Sequence, residues 1–144
     1  MTTALQAHFA DYGAFHQTAG NKACHYVGIP VIVLSIFALL SALPIAVVGG
    51  FQITWAEVLL IFSATYYLGL DAGLGALMLV ASVLFDAAGR QIPVLPAAAL
   101  FVFGWILQFI GHYVYEGKSP AFFRNVTHLL VGPLWILAKV TGRA

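Results

Sequence analysis

Long apolar runs alternate with short polar or glycine-rich breaks along this chain, and each run has a periodicity that predicts its element. Over residues 4–17, Leu5, Phe9, Tyr12 and His16 recur at helical spacing on one face. This predicts an amphipathic helix lying on a membrane or on other helices. The segment Thr18-Ala19-Gly20-Asn21 breaks it, with Gly20 expected at the helix stop and Asn21 as N-cap of the next helix. From Ala23 to Ala56 there is no Asp, Glu, Lys or Arg, and residues 29–48 are long enough to cross a bilayer, where roughly 20 residues are needed. Pro30 fits the first turn of that span or a kink, Pro44 a kink near its far end, and Gly49-Gly50 its stop.

The next apolar runs, Thr54 to about Leu70 and Asp71 to about Ala88, predict a helical hairpin that reverses around Gly69, Asp71, Gly73 and Gly75. Trp55 and Tyr66-Tyr67 fall at interfacial depth. Asp86 and Arg90, i and i+4, predict a local ion pair. Residues 91–115 form a second long uncharged stretch, with a helix expected from Ala97 to the His112 region. A polar loop follows at 117–124, and a last apolar segment over 125–140 is interrupted by Gly132-Pro133. That break and the basic residues Lys139 and Arg143 predict a re-entrant or interfacial helix rather than a fifth span. The expected fold is an all-α integral membrane protein. It has about four transmembrane helices, an N-terminal amphipathic helix and a C-terminal re-entrant or fifth helix, in one membrane-embedded, metal-binding domain over 1–144.

Composition agrees with a membrane class: of 144 residues, 62% are hydrophobic and 8% charged, against about a quarter charged in soluble domains. The net charge of +1 gives no electrostatic case for a nucleic-acid partner. Cys24 is the single cysteine, which excludes an intrachain disulfide and a cysteine-rich zinc site. Residues 1–28 lack a basic start followed by an apolar core, so the first long run is expected to act as an uncleaved anchor. With four spans, Lys22, Lys118 and Arg124 share one side and Arg90 lies on the other, which predicts the N-terminus and the 117–124 loop in the cytoplasm.

The candidate chemistry gathers at that cytoplasmic end. His16 and His25 are nine residues apart, on opposite faces of a continuous helix, but the break between them lets both address one site. Asn21 and His25 share a face, and Gln108, His112 and Glu116 at i, i+4, i+8 share another. His128, one turn after Arg124, is placed to fold back toward the same pocket. A lone histidine at a membrane interface more often hydrogen-bonds than ligates, which is the reading taken for His8. Several converging imidazoles instead predict one metal held by His16, His25, His112 and His128, with Fe, Zn, Cu and Ni all suited to imidazole. Glu116 is expected to hold the second nitrogen of His112 or to bind the metal, and Asn21 to orient substrate or ligand. Arg124 and Lys118 are candidates to hold a substrate carboxylate, with Gln108 beside them; positive-inside topology explains the two cations equally well.

The motif His16-Gln-Thr-Ala-Gly-Asn21-Lys-Ala-Cys-His25-Tyr-Val-Gly28-Ile-Pro30 and the segment Gln108-Phe-Ile-Gly111-His112 to Glu116-Gly-Lys-Ser-Pro120-Ala together resemble the membrane 2-hydroxy fatty acid dioxygenase family of alpha-oxidation. The resemblance covers nearly the whole chain. It implies an Fe(II)-dependent enzyme that shortens long-chain 2-hydroxy fatty acids by one carbon with molecular oxygen, its fungal member acting in the endoplasmic reticulum in phytosphingosine breakdown. It carries essential histidines onto His16, His25 and His112, and less specifically onto His128. Phe122-Phe123 departs from the leucine pattern expected after Pro-Ala, a difference that bears on substrate detail. The implied location is a bacterial inner membrane, or the endoplasmic reticulum in a eukaryote. Two other classes fit a histidine-rich membrane chain: a scaffold or transporter without turnover, and a haem-binding electron-transfer protein. The dense histidine clusters of diiron membrane hydroxylases are absent. Glycines at 69, 73 and 75 permit close helix contact and a homodimer.

Overall fold

The computed structural model describes residues 1–144. Helix α1 (Thr3–Ala14) is capped by the Thr2 hydroxyl, which accepts from Leu5 N at 3.3 Å, and it buries Leu5, Phe9 and Tyr12 as the periodicity predicts. Helix α2 (Ala19–Ser41) begins earlier than expected. Thr18, not Asn21, is its N-cap, and Gly20 and Asn21 lie in its first turn. The Thr18 hydroxyl already accepts from Asn21 N, so the Asn21 side chain is released to reach across the bundle.

The first long apolar run is divided between two kinds of structure. Helix α2 stops at Ser41, and strands β1 (Pro44–Val48) and β2 (Phe51–Thr54) pair antiparallel through Gly49-Gly50. Both glycines have positive φ, 57° and 81°, which a two-residue hairpin turn of matching twist requires. This corrects both the purely helical fold and the helix expected to Val48. The β-branched residues of 45–48 and Pro44 at the strand start suit a hairpin as well as a helix end.

Helix α3 (Trp55–Leu70) opens with a capping box, in which Glu57 accepts from Thr54 N at 2.6 Å and the Thr54 hydroxyl accepts from Ala56 N at 3.2 Å. Asp71 ends it and caps α4 (Ala72–Gly89), accepting from Leu74 N at 3.0 Å. This is the tight reversal that the glycine-rich sequence predicts. Helix α5 (Val94–Phe109) starts three residues before the expected position, behind Pro93 as N-cap with Pro96 in its first turn. It continues as a π-helical segment, Ile110–Glu116, closed by Gly117 at φ 67°. A short 3₁₀ turn (Ala121–Phe123) leads to α6 (His128–Val140).

Three helical stretches are long and apolar enough to cross a membrane: Ala19–Ser41, Ala72–Gly89 and Val94–Glu116. Helix α3 is also apolar, but its 16 residues span about 24 Å against a hydrocarbon core of about 30 Å. Helices α2 to α5 run alternately up and down, so the starts of α2 and α4 and the end of α5 share one end of the bundle. Helix α1 docks there too, with Thr2 donating to the Leu70 carbonyl at 2.7 Å and the N-terminal amine 3.4 Å from Asp71. Helix α6 begins at that end with His128, and Arg143 just beyond it lies against Gly73 at the start of α4. Both ends of α6 therefore sit at one end of the bundle. The main core, including Leu5, Phe9, Met78, Leu134 and Trp135, joins α1 and α6 to α3 and α4 and fixes the platform on which the histidines stand.

Candidate metal centre

His16 follows the last turn of α1, four residues after Tyr12. Its Nδ1 lies 2.6 Å from the Tyr12 carbonyl, which can only accept, so Nδ1 carries the proton and Nε2 the free lone pair. The ring stacks on that of Tyr12 at 3.9 Å between centroids and 11° between planes. Its Nε2 is buried without a partner. Burial pushes the His16 pKa down to about 4, so the ring is neutral at ordinary pH and its lone pair is available. His25, one turn into α2 from Asn21, donates from Nδ1 to the Asn21 carbonyl at 2.9 Å, which also leaves Nε2 free. His112 stands in the π-helical segment with Nδ1 buried and unpartnered.

These three rings meet edge to face. The centroids of His16 and His25 are 4.4 Å apart, those of His16 and His112 4.9 Å, and those of His25 and His112 4.8 Å. One nitrogen from each lies within 4.8 Å of the other two, and all three residues are buried. Such a trio could hold a metal ion. The approach of α5 to α2 depends on Gly111, where a Cβ would lie 2.6 Å from Asn21 Oδ1 and 3.2 Å from His25 Nδ1. A π-helical turn is a frequent device at functional sites; here its wider winding turns His112 into the trio and Glu116 away from it.

Glu116 differs from its expected role. Its carboxylate accepts from Gln17 N, Thr18 N, the Thr18 hydroxyl and Asn21 Nδ2, all at 3.0–3.1 Å. These donors occupy it, and it makes no hydrogen bond to His112. It ties the end of α5 to the α1–α2 turn, so His16, His25 and His112 keep their mutual positions. Asn21 serves the same clasp, donating also to the Phe15 carbonyl at 3.0 Å.

His128 is outside the converging trio. Its Nε2 is 2.7 Å from Asp11 Oδ2, and its Nδ1 is buried without a partner. It nonetheless lines the same cavity as the trio, a space of about 160 Å³. Gln108 lines it too, with Nε2 buried and unpaired. Lys118 and Arg124 are exposed on the loop after α5 and do not line this cavity. Two other cations, Lys22 and Lys139, border an open cleft on the opposite side of His16, and Lys139 stands 5.5 Å above the Trp135 ring.

Sequence reasoning missed Tyr12 as the residue that orients His16, although the i, i+4 spacing carried the signal. It missed Asp11, whose partner lies 117 positions away, and no local pattern could reveal that.

A family model described as 2-hydroxy-palmitic acid dioxygenase Mpo1-like matches residues 2–144. The 2-hydroxy-palmitic acid dioxygenase MPO1 of Saccharomyces cerevisiae is 26% identical over 134 residues, which cover 92% of this chain and 77% of the relative. No solved structure matches.

Proposed function

The chain belongs to the Mpo1-like family, and from that premise we propose that it is a membrane-embedded, Fe(II)-dependent dioxygenase that shortens long-chain 2-hydroxy fatty acids by one carbon. The observation that carries this reading is the convergence of three buried imidazoles on a cavity whose remaining lining is mostly apolar, with Gln108 and His128 its other polar residues. Uncharged nitrogen donors suit iron, and three of them leave positions open for both substrate and oxygen. The donor set therefore fits the ion. When bound, Fe(II) would supply the means to activate oxygen for the oxidation of C2.

In the overall reaction a 2-hydroxy acid and O₂ give the acid one carbon shorter, CO₂ and water. The C1–C2 bond breaks, C2 is oxidised to the new carboxyl carbon and O₂ is reduced. His16, His25 and His112 are the proposed ligands, the first two held in one tautomer by the Tyr12 and Asn21 carbonyls. His128 donates to Asp11 from Nε2, so its free Nδ1 is the atom we assign to take the proton of the substrate hydroxyl, with Asp11 stabilising the charged ring. Gln108 Nε2 is assigned to the substrate carboxylate. Glu116 and Asn21 position the ligands. Lys118 and Arg124 lie exposed near the site and attract an anionic substrate to this end.

The apolar lengths of α2, α4 and α5 support a membrane location, and the basic residues gathered at the histidine end support a cytoplasmic placement of the site. The test is anaerobic loading with Fe(II), then oxygen and 2-hydroxypalmitic acid, with mass-spectrometric detection of products. Iron-dependent formation of the fifteen-carbon acid is expected. Folded, iron-loaded protein that yields no shortened acid from any chain length would refute the reading.

A further inference from the structure

We propose that the acyl tail of the substrate is carried inside the protein rather than in surrounding lipid. It would run along the face of α2 that starts at His25 and end against Ser63 and Ser82 between α3 and α4. This inference rests on the 2-hydroxy acid reading of the histidine site.

The path begins at the trio. His25, Ile29, Ile32 and Ile36 follow one another at three- and four-residue steps, and Val33 lies four after Ile29 and three before Ile36, so they form one stripe of α2, and all line the cavity into which the histidines face. From His25 to Ile36 the stripe descends about 16 Å, half the thickness of a hydrocarbon core. A long acyl chain needs that reach, whereas a short acid does not.

A second cavity of about 110 Å³ borders the first, with Val33, Ile36, Leu129 and Pro133 lining both, and reaches Leu59, Ser63 and Ser82; the proposed tail crosses from one to the other at these shared residues. No charged side chain lines either space. Pro133 borders both and has no N–H, so α6 loses a helical hydrogen bond where the two meet. The Ser63 hydroxyl is satisfied by the Leu60 carbonyl at 3.1 Å and so presents bulk rather than an unmet polar group.

The polar and apolar ends of the path match the two ends of the substrate. At the top stand His112, His128 and Gln108 with unpaired buried nitrogens. At the bottom the lining is aliphatic, aromatic and small. The other space that touches His16 is the open cleft of Gln17, Lys22 and Lys139, where a hydrocarbon would lie against charge. The tail is therefore directed down α2. Of the two apolar spaces that border the first cavity, the one reaching Ser63 and Ser82 shares four lining residues with it and the one reaching Phe85 and Val140 shares three, so Ser63 and Ser82 are the positions at which added bulk would shorten the channel.

The test has two arms on the iron-loaded protein in nanodiscs. In the first, kept anaerobic, 2-hydroxypalmitic acid with a photoreactive diazirine at its far end is activated and the labelled peptides are mapped. Labels within 59–63 and 78–82 are expected at inward residues. Labels confined to outward residues such as Val80, Val83 or Val102 would overturn the channel. In the second arm, kcat/KM is compared across acyl lengths. Ser82→Phe and Ser63→Phe are each expected to lower it at least tenfold for the sixteen-carbon acid and less than twofold for the eight-carbon acid. Val83→Phe, on the outward face, should leave the profile flat. An equal loss at every length, or none, would also overturn the channel while leaving the activity in place. If the wild type turns over no 2-hydroxy acid yet is labelled inside, the activity reading falls and the channel stands. Absence of both turnover and inward labelling overturns both. The wild-type labelling result holds even if a phenylalanine variant fails to fold.

Discussion

At the hairpin end of the bundle, Arg90 is paired with Glu57, donates to Asp86 Oδ2 at 3.2 Å and to the Gln52 carbonyl at 3.2 Å, and sits 4.7 Å over the Phe51 ring. At the histidine end, His16 Nε2, His112 Nδ1, His128 Nδ1 and Gln108 Nε2 are buried with no partner at all. The first cluster is nearly complete, with Asp86 Oδ1 its one unmet atom. Its groups neutralise and hydrogen-bond one another, which is what a structural cluster needs. The second has the Glu116 carboxylate and Asn21 Nδ2 hydrogen-bonded at its margin, but Asn21 Oδ1 there and the nitrogens at its centre are unmet. Unpaired buried nitrogens are costly, about 1–3 kcal/mol each, and they gather where a ligand would repay that cost. The contrast separates a joint that holds the fold from a histidine trio that could hold a metal ion.

Substitutions that break the contrast should act at one end only. The largest effect is expected from His16→Ala, His25→Ala or His112→Ala, each of which should abolish turnover and leave iron bound only at large excess, while helical content by circular dichroism stays as in the wild type. Full iron occupancy in all three variants would remove the proposed centre. Glu116→Ala should follow, because the clasp holds two of the three ligands through the α1–α2 turn. Loss of such a supporting group lowers metal affinity about 10–100-fold, readable by competition with a chelator, and unchanged affinity would show the clasp to be dispensable. Arg90→Ala should do the reverse. It leaves Glu57 and Asp86 unpaired and lowers unfolding stability by about 1–3 kcal/mol, yet iron per folded chain should stay at the wild-type level.

A smaller effect concerns pH. The folded His16 pKa near 4 lies below the usual value of about 6.5. Between these values the unfolded chain binds a proton that the folded protein does not. The stability of the metal-free protein should thus hold above about pH 6.5 and decline as pH falls toward 4. His16→Gln should flatten that part of the curve in thermal melts, and an identical slope in the variant would show that His16 does not cause it. His8→Ala, midway along α1 and outside the histidine trio, should change neither iron content nor melting temperature.

Much of this was legible in the sequence where neighbours along the chain decide the outcome. The stripe Leu5, Phe9, Tyr12, His16 placed α1 and turned His16 inward, and the break after it let His25 face the same point. The Asp86–Arg90 pair and the Asp71 reversal followed from spacing alone. The hairpin did not, because Ile45 to Val48 continues an apolar run whose periodicity reads equally as helix or strand. The choice between Thr18 and Asn21 as N-cap was decided by Glu116, 95 positions from Asn21, which recruits the asparagine side chain elsewhere. For the same reason the i, i+4, i+8 reading of Gln108, His112 and Glu116 was only partly useful. It assumed α-helical winding through a segment that winds as a π-helix.

X-ray absorption at the iron edge of the anaerobically loaded protein counts the imidazoles around the ion. Histidine scattering from three rings is expected in the wild type, and a lower count in a His25→Ala sample driven to partial loading with excess Fe(II). Iron bound with no histidine scattering, or a count indifferent to His25, would contradict a centre held by His16, His25 and His112.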